Sequence, residues 1–589
     1  MSRIDVTIRI CGSAGDGALA AGAFVNRAAA AMGYHIMNFD LYPAEIRGFG
    51  KSVAHTRISD ERVLTPGEQA DCLVSLNDPH AITELGTLAE GAVIVYDSKP
   101  PDYVEEDQAI AGFIEPGMIG YGVPLGHLSS MATKSTRSRN IVALGALSAI
   151  FNLDGGYFKQ AIRRRFERKS RALYEINARA FDLGHDYAAR ELVKADAIDF
   201  EGRVLDAPAD VAIVAGNEAV ARACLDAGVR LFAGYPITPA TRIMEILARE
   251  LPRHGGVVVQ TEDELSAIGH AIGGGFSGKR SLTATSGPGL ALMTEFLGLA
   301  VMAEVPVVLI NSQRGGPSTG LPTKTEQSDL NLAIHGGSGD SPRPVIAATS
   351  VSECYELTIK AFEVAEAFQT PVILLLDLFL SNRMEDITWP AGELTTFGKY
   401  AEVRADAPAD GGEYRRFALT ETGVSPRAIP GTPGLYHAVT GLEHDERGLP
   451  NYSPKVHAQM TAKRHRKLET LLERWPAPTP EGDSGELDIG IVSWGSSVGA
   501  AQEAIGQLRA AGLKAAGLFP RLLWPLHAEP LRELSARARC LLVAEANYTG
   551  QFAALVRQAL AREVIGVGRV PAEPLASSLI VQAAREALE

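Results

Sequence analysis

The sequence has few cysteines and no long apolar run, and both shortages exclude classes of protein. Its 589 residues include five widely separated cysteines and no C-x-x-C pair, which excludes a zinc ribbon, a ferredoxin-type cluster run and a secreted disulfide framework. Apolar stretches such as 371–377 have the length of a strand and are too short to span a bilayer. Residues 1–15 predict a strand and a glycine turn rather than a signal peptide. We therefore expect a cytoplasmic protein that does not bind a membrane.

Basic charge is also scarce. There are 56 Lys and Arg residues against 70 Asp and Glu residues, a formal charge of −14, so the chain lacks the electrostatic footprint of a nucleic-acid-binding protein. The sequence is rich in residues that form a hydrophobic core, since 46% of the residues are hydrophobic and 21% are charged. At about 150 residues per domain, the length predicts three to four domains.

Strands alternate with helices along most of the chain, which predicts an α/β fold of three doubly wound, Rossmann-like or transketolase-like domains. The predicted regions are a first domain at 1–195, a second at 205–385, an irregular connecting segment at 386–484 with a helix at 455–474, and a third domain at 485–589. We expect the strand at 211–214 to open the second domain, and the first sheet to be mostly parallel.

A glycine turn at residues 12–17 is the first candidate site. It follows a predicted strand and opens a predicted helix, so its backbone N–H groups lie where phosphate can bind. The candidate residues are Gly12, Ser13, Gly15 and Gly17. Their order, G-x-x-G-x-G, matches a nicotinamide fingerprint poorly. A tight turn that only requires a positive φ remains an equal alternative.

A second candidate lies at residues 234–239, GYPITP, where a strand ends. We predict Thr238 as the N-cap of the next helix and Pro239 as its first residue. The carboxyl end of a strand is also where open α/β sheets bind ligands. Capping alone remains the alternative function for Thr238.

Two charged residues follow further strands. Glu264 heads a helix rich in glycine and alanine, which predicts tight packing and a buried carboxylate, although an acidic first turn also suits the helix dipole. Arg314 ends an apolar strand inside a polar glycine loop, and arginine binds carboxylates bidentately. A structural role for Arg314 is the alternative.

Four motifs, taken in their order along the chain, resemble the alpha subunit of 2-oxoacid:ferredoxin oxidoreductases, specifically of the 2-oxoglutarate type. The motifs lie at residues 234–239, 264–269, 283–289 and 315–323. The first domain, with residues 42–48, resembles that family's gamma domain fused ahead of alpha. The last, with residues 545–551, resembles its transketolase-C-like domain. The resemblance covers nearly the whole chain.

The resemblance implies a thiamine diphosphate-dependent reaction. A 2-oxoacid such as 2-oxoglutarate loses CO₂, two electrons leave singly to ferredoxin, and the acyl group passes to coenzyme A, with the reverse carboxylation also open. It implies that Glu264 activates the aminopyrimidine ring of the cofactor, and that Thr238 and Arg314 hold the substrate's carboxylate. Further cofactor contacts are implied at Tyr235, Pro236 and Ile237. The glycine turn at 12–17 is then a candidate contact for coenzyme A.

The chain lacks the diphosphate motif of thiamine enzymes and lacks cluster cysteines, so we expect no metal in it. A partner beta subunit should bring Mg²⁺, the diphosphate site and an iron–sulfur cluster, in a dimer of heterodimers. The loop at 336–343 departs from the family pattern, which leaves pyruvate, branched-chain and aryl-pyruvate oxidoreductases as alternatives. A non-catalytic scaffold subunit and, through the glycine turn, a nicotinamide dehydrogenase are the alternatives from other classes.

Overall fold

The structure, a computed structural model, describes residues 3–41, 50–98, 109–202, 204–205, 211–389, 413–568 and 573–589. The chain divides into two compact units. The first unit comprises residues 1–214 and 383–389, and the second comprises residues 215–382 and 390–589. Each unit is built around buried apolar clusters of its own.

The elements up to residue 215 are as follows: β1 (Asp5–Ser13), α1 (Ala18–Ala31), β2 (His35–Asn38), β3 (Lys51–Ser59), β4 (Ala70–Ser75), α2 (Asp78–Ile82), β5 (Leu88–Asp97), β6 (Ile119–Val123), α3 (Leu125–Thr133), α4 (Arg139–Ile150), α5 (Gly155–Phe166), α6 (Arg171–Glu191) and β7 (Val211–Ala215).

From residue 216 to residue 388 the elements are α7 (Gly216–Asp226), β8 (Leu231–Gly234), α8 (Thr241–Glu250), β9 (Val257–Gln260), α9 (Glu264–Phe276), β10 (Ser281–Thr285), α10 (Gly287–Met302), β11 (Val307–Gln313), α11 (Leu330–His335), β12 (Val345–Ala347), α12 (Val351–Phe368), β13 (Pro371–Asp377), α13 (Leu378–Asn382) and β14 (Met384–Thr388).

The remaining elements are α14 (Pro454–Arg474), β15 (Glu481–Gly482), β16 (Leu487–Ser493), α15 (Val498–Ala510), β17 (Ala515–Leu518), β18 (Leu522–Trp524), α16 (Ala528–Arg537), β19 (Ala538–Glu545), α17 (Gln551–Leu560), β20 (Ile565–Gly568) and α18 (Ser577–Leu588).

The first unit contains an eight-stranded sheet in the order β6-β5-β4-β1-β3-β2-β14-β7. Its β6-β5-β4-β1 half is parallel, as predicted, whereas β3 pairs antiparallel with both β1 and β2. The sheet is therefore mixed rather than mostly parallel. Strands β7 and β14 also differ from the prediction, which assigned the strand at 211–214 to the second domain. Local pattern cannot show this, because β14 is recruited by a distant contact, in which Asp386 binds His35 at 2.7 Å and the amide of Ile36 at 2.7 Å.

The second unit contains a seven-stranded sheet in the order β18-β12-β13-β11-β10-β8-β9 and a five-stranded sheet in the order β15-β17-β16-β19-β20. Strands β12, β13, β11, β10, β8 and β9 all run parallel. Strand β18, from the predicted third domain, joins their edge antiparallel. One buried cluster, which includes Leu309 and Leu541, contains residues of both sheets. The α/β class and its parallel-sheet domains are thus confirmed.

Candidate active site

The carboxyl ends of three neighbouring parallel strands, β8, β10 and β11, form the edge where the candidate residues gather. Open α/β sheets place ligands at this edge because the loops that follow adjacent strands meet there. Thr238 follows β8, Ser286 follows β10 and precedes α10, and Arg314 follows β11. The structure therefore brings together motifs that lie up to about 80 residues apart in the sequence.

Thr238 occupies the turn after β8 and does not cap the next helix. Helix α8 begins at Thr241, its N-cap position is Ala240, and no side chain caps it. The prediction of Thr238 as N-cap and Pro239 as first helical residue is therefore wrong. The reason is that residues 238–240 form a separate turn, whose Thr238 carbonyl accepts a hydrogen bond from Arg314 Nη1 at 2.7 Å. Asn217 Nδ2 supports the same turn by donating to the carbonyl of Pro239 at 3.0 Å.

The guanidinium of Arg314 is buried and only partly satisfied. Its side chain donates to Thr238, whereas its buried Nε has no hydrogen-bond partner in the part of the chain that the structure describes. Burial lowers the pKa of Arg314, and the charge of Asp329 opposes that change. A buried cation with a spare donor is a site for a ligand carboxylate.

Glu264 is the first residue of α9, and Asp263 before it is the cap, since its carboxylate accepts from the amide of Ser266 at 2.7 Å. The predicted burial of Glu264 is confirmed, with 7% of its surface exposed. Its carboxylate packs on Gly289, where an added Cβ would lie 2.9 Å from Glu264 Oε1 and 2.0 Å from Thr285 Oγ1. Among the described residues, no group makes a hydrogen bond or ion pair with this carboxylate. This carboxylate is therefore available to contact a ligand.

Further polar atoms at this edge lack partners. Ser286 Oγ and Asn311 Oδ1 are buried and make no hydrogen bond within the described ranges, as is also true of Arg314 Nε. Buried polar atoms are paired in most proteins, and a group of unpaired ones marks a place for a polar ligand. Together with the Glu264 carboxylate, they fit a nitrogen-rich ring and an anion.

The polar segment 323–329 also lies at this site, although no sequence motif pointed to it. Glu326 accepts a hydrogen bond from the amide of Gly316 at 2.9 Å and so holds the loop after Arg314. Asp329 accepts from Asn311 Nδ2 at 2.9 Å, and burial raises the pKa of Asp329 to about 6. The available signal was the run of polar residues, TKTEQSD, between the glycine loop and the apolar start of α11.

The residues predicted as further cofactor contacts directly precede Thr238, in the connection between β8 and α8. Tyr235 is 42% exposed, and Pro236 and Ile237 are half-buried. The loop 545–551 follows β19, and its buried Glu545 accepts hydrogen bonds from the amides at the start of α17. Residues 42–48, which carried part of the resemblance, lie outside the described residues.

The glycine turn of residues 12–17 belongs to the first unit, whereas the residues described above belong to the second. Gly17 precedes α1 with a φ of 83°, so the turn requires glycine there. The amide of Ser13 donates to Asp16 Oδ2 at 2.8 Å, and Arg139 pairs with Asp16 at 3.2 Å. A phosphate would therefore have to displace the Asp16 carboxylate from the Ser13 amide.

Comparison with protein families gives three matches along the chain. Residues 7–187 match the family described as pyruvate ferredoxin/flavodoxin oxidoreductase. Residues 222–463 match its thiamine diphosphate-binding domain, and residues 482–589 match the transketolase C-terminal domain. Over the described residues, no helix is long and apolar enough to cross a membrane, and no three His, Cys, Asp or Glu side chains are grouped to hold a metal.

Individual relatives match nearly the whole chain. The 2-oxoglutarate oxidoreductase subunit KorA of Mycobacterium tuberculosis is 32% identical over 96% of this chain and 89% of its own length. The 2-oxoacid:ferredoxin oxidoreductase 2 subunit alpha of Aeropyrum pernix is 31% identical over 94% and 93%. Among solved structures, the 2-oxoglutarate:ferredoxin oxidoreductase of Magnetococcus marinus, with 2-oxoglutarate, coenzyme A and succinyl-CoA bound, covers 100% of both chains with a TM-score of 0.93 and 38% identity.

Proposed function

Because this chain belongs to the 2-oxoacid:ferredoxin oxidoreductase family and matches its alpha subunits, we propose that it converts 2-oxoglutarate and coenzyme A to succinyl-CoA and CO₂ together with a beta subunit. Two oxidised ferredoxins take up the two electrons, one each, and a proton is released. The same chemistry run backwards is a reductive carboxylation. The choice of 2-oxoglutarate rests on the structural match to an enzyme solved with that substrate.

One observation carries the catalytic part of the proposal. A buried, unpaired carboxylate, Glu264, lies at the same sheet edge as a buried, under-satisfied guanidinium, Arg314. Thiamine diphosphate, when bound, supplies the nucleophile and the electron sink for decarboxylation. Glu264 would hold a proton at a nitrogen of its pyrimidine ring. Arg314 and Thr238 would orient the carboxylate of the 2-oxoacid.

We place the metal, the diphosphate site and the electron path on a partner subunit. Cys11, Cys72, Cys224 and Cys354 are buried in separate elements, and burial raises the pKa of the Cys11 thiol to about 12. Burial raises the pKa of the Cys72 and Cys224 thiols as well, so Cys11, Cys72 and Cys224 pack as neutral groups rather than as thiolate ligands. Relatives named as alpha subunits support a complex of several chains.

The test is to purify this chain alone and with its partner, and to measure 2-oxoacid-dependent reduction of a viologen dye. We expect activity, iron and thiamine diphosphate only in the complex. Full activity of the isolated chain would contradict the shared site. Comparison of kcat/KM for 2-oxoglutarate, pyruvate and an aryl-pyruvate then tests the substrate, and a preference for pyruvate would replace 2-oxoglutarate in the proposal.

A further inference from the structure

The segment around Asp329, at the start of α11, is fixed in position by the predicted third domain. Gln327 donates to the carbonyl of Trp494 at 3.1 Å and accepts from Ser497 Oγ at 2.7 Å and from the amide of Ala546 at 2.8 Å. Gln551 holds the residues on both sides of Asp329, since it donates to the carbonyl of Ser328 at 2.7 Å and accepts from the amide of Asn331 at 2.8 Å. Both flanks of Asp329 are therefore held by side chains, which gives its carboxyl a defined place.

The carboxyl group of Asp329 lies beside Gly287, the first residue of α10. The amide of Asp329 donates to Gln313 Oε1 at 3.0 Å, and its carboxylate accepts from Asn311 Nδ2 at 2.9 Å. The missing side chain of Gly287 makes room, since a Cβ there would lie 2.7 Å from Asp329 Oδ1. Strand β11 thus contains Asn311 and Gln313, the two residues that hold Asp329, and Arg314 directly follows this strand.

The side chain of Arg314 reaches from the end of β11 to the Thr238 carbonyl after β8, and the strand between them, β10, ends next to Gly287, against which the Asp329 carboxyl lies. Arg314 and Asp329 each change the pKa of the other through their charge. Within the described residues neither of them has an ion-pair partner, and Arg314 Nε remains without a hydrogen bond. A substrate carboxylate that binds Arg314 must therefore do so in the field of a second, native carboxyl group.

We propose that Asp329 sets the affinity of Arg314 for the substrate's carboxylate: a protonated Asp329 leaves the guanidinium uncompensated, whereas an ionised Asp329 competes for it. This inference rests on the proposed function and makes Asp329 a positioning residue that affects substrate binding through Arg314. Asp329 can change its protonation state at weakly acidic pH, because burial raises its pKa to about 6, whereas the hydrogen bond from Asn311 lowers this pKa. The charged groups that act on it are Glu326, which raises the pKa further, and Arg314, which lowers it.

The test compares wild type, Asp329→Asn and the control Asp340→Asn, each in the complex with the partner subunit. Asp340 is an exposed residue of the loop that follows α11. KM and kcat for 2-oxoglutarate are measured between pH 5.5 and 8, where ordinary carboxyl groups are ionised. We expect the wild-type KM to rise about three- to tenfold with pH across the range, and the Asp329→Asn KM to be low and flat, with kcat changed less than about twofold. Asp340→Asn should follow wild type.

A second variant keeps the test decisive if Asp329→Asn folds poorly. Asn311→Ala removes the donor that stabilises the ionised carboxylate, so the pH midpoint of the KM change should move upwards. Thermal unfolding of the chain without cofactor gives an independent measurement, since wild type should lose stability relative to Asp329→Asn as pH rises from 4 to 6.

An Asp329→Asn KM that keeps the wild-type pH dependence, or an unmoved midpoint in Asn311→Ala, overturns the inference. A wild-type complex that turns over no 2-oxoacid overturns the proposed function instead.

Discussion

The second unit buries two carboxylates, Glu264 and Glu304, in opposite circumstances. Glu304 is 1% exposed and contacts Lys463 Nζ at 2.6 Å and Lys467 Nζ at 2.7 Å, while its carbonyl accepts from Arg416 at 2.8 Å. Burial favours its neutral form, yet these cations hold the pKa of Glu304 well below its usual range. Glu264 is nearly as buried, and the described residues offer it no partner. Burial alone therefore does not indicate function, whereas burial without a partner does.

Replacing Glu264 should produce the largest loss of activity. We expect Glu264→Gln to lower kcat of the complex by about 10²- to 10⁴-fold, because general acid–base groups contribute about that much, with a small change in KM. The free energy of unfolding should not fall, since no partner loses its hydrogen bond. Steady-state kinetics and thermal unfolding measure both. The exposed neighbour variant Glu262→Gln is the control, and a Glu264→Gln enzyme with normal turnover would remove Glu264 from the proposed mechanism.

Replacing Glu304 should instead lower the stability of the chain and leave substrate binding unchanged. We expect Glu304→Gln to lower the free energy of unfolding by about 3–5 kcal/mol, because two buried ammonium groups lose their counter-charge. The folded fraction should keep its KM. Denaturant unfolding monitors the loss, with the exposed Glu295→Gln on α10, the helix that ends just before Glu304, as control. If adding Lys463→Met and Lys467→Met to Glu304→Leu restores no stability, the uncompensated charges are not the cause.

The close approach of Gly289 to Glu264 can be tested by adding a methyl group at Gly289. We expect Gly289→Ala to destabilise the chain by about 1–3 kcal/mol and to reduce activity, because the new Cβ would lie 2.0 Å from Thr285 Oγ1. Gly298 is the matched control on the same helix, where nothing lies within 4 Å of an added Cβ. Gly298→Ala should be neutral or stabilise by up to about 1 kcal/mol. Equal effects of the two variants on activity would show that the site tolerates the methyl group.

The ion cluster at Glu304 should also respond to pH. Burial lowers the pKa of Lys467 from 10.5 to about 7. Between these values the unfolded chain holds the proton that the folded chain has released, so the free energy of unfolding rises with pH by about 1 kcal/mol per unit; below pH 7 the contribution is constant. Denaturant titrations from pH 6 to 10 should show a shallower slope in Lys467→Met and an unchanged one in Lys455→Met. Identical slopes in wild type and Lys467→Met would place the pKa elsewhere.

Prediction from the sequence succeeded where the signal is local. Glu264 was expected to head a helix rich in small residues, and α9 begins at this residue. The prediction that Thr238 caps a helix failed, because its carbonyl is used by Arg314, 76 residues away. Asp329 was missed since its significance depends on Asn311 and Gly287, which no spacing rule connects to it.

What the sequence by itself determined is the family, the α/β class and the residues from which the site is built. Those properties depend on motifs, periodicity and composition, each of which acts over a few residues. Only the tertiary structure decided which buried charges are paired. Glu304 meets Lys463 across 159 residues, whereas Glu264 lies against Gly289 and makes no hydrogen bond or ion pair in the described chain, because pairing depends on how the helices pack on the sheet. Scarce cysteine is the reason we place the electron path on a partner subunit, and the unpaired Glu264 is the residue on which the proposed chemistry of this chain rests.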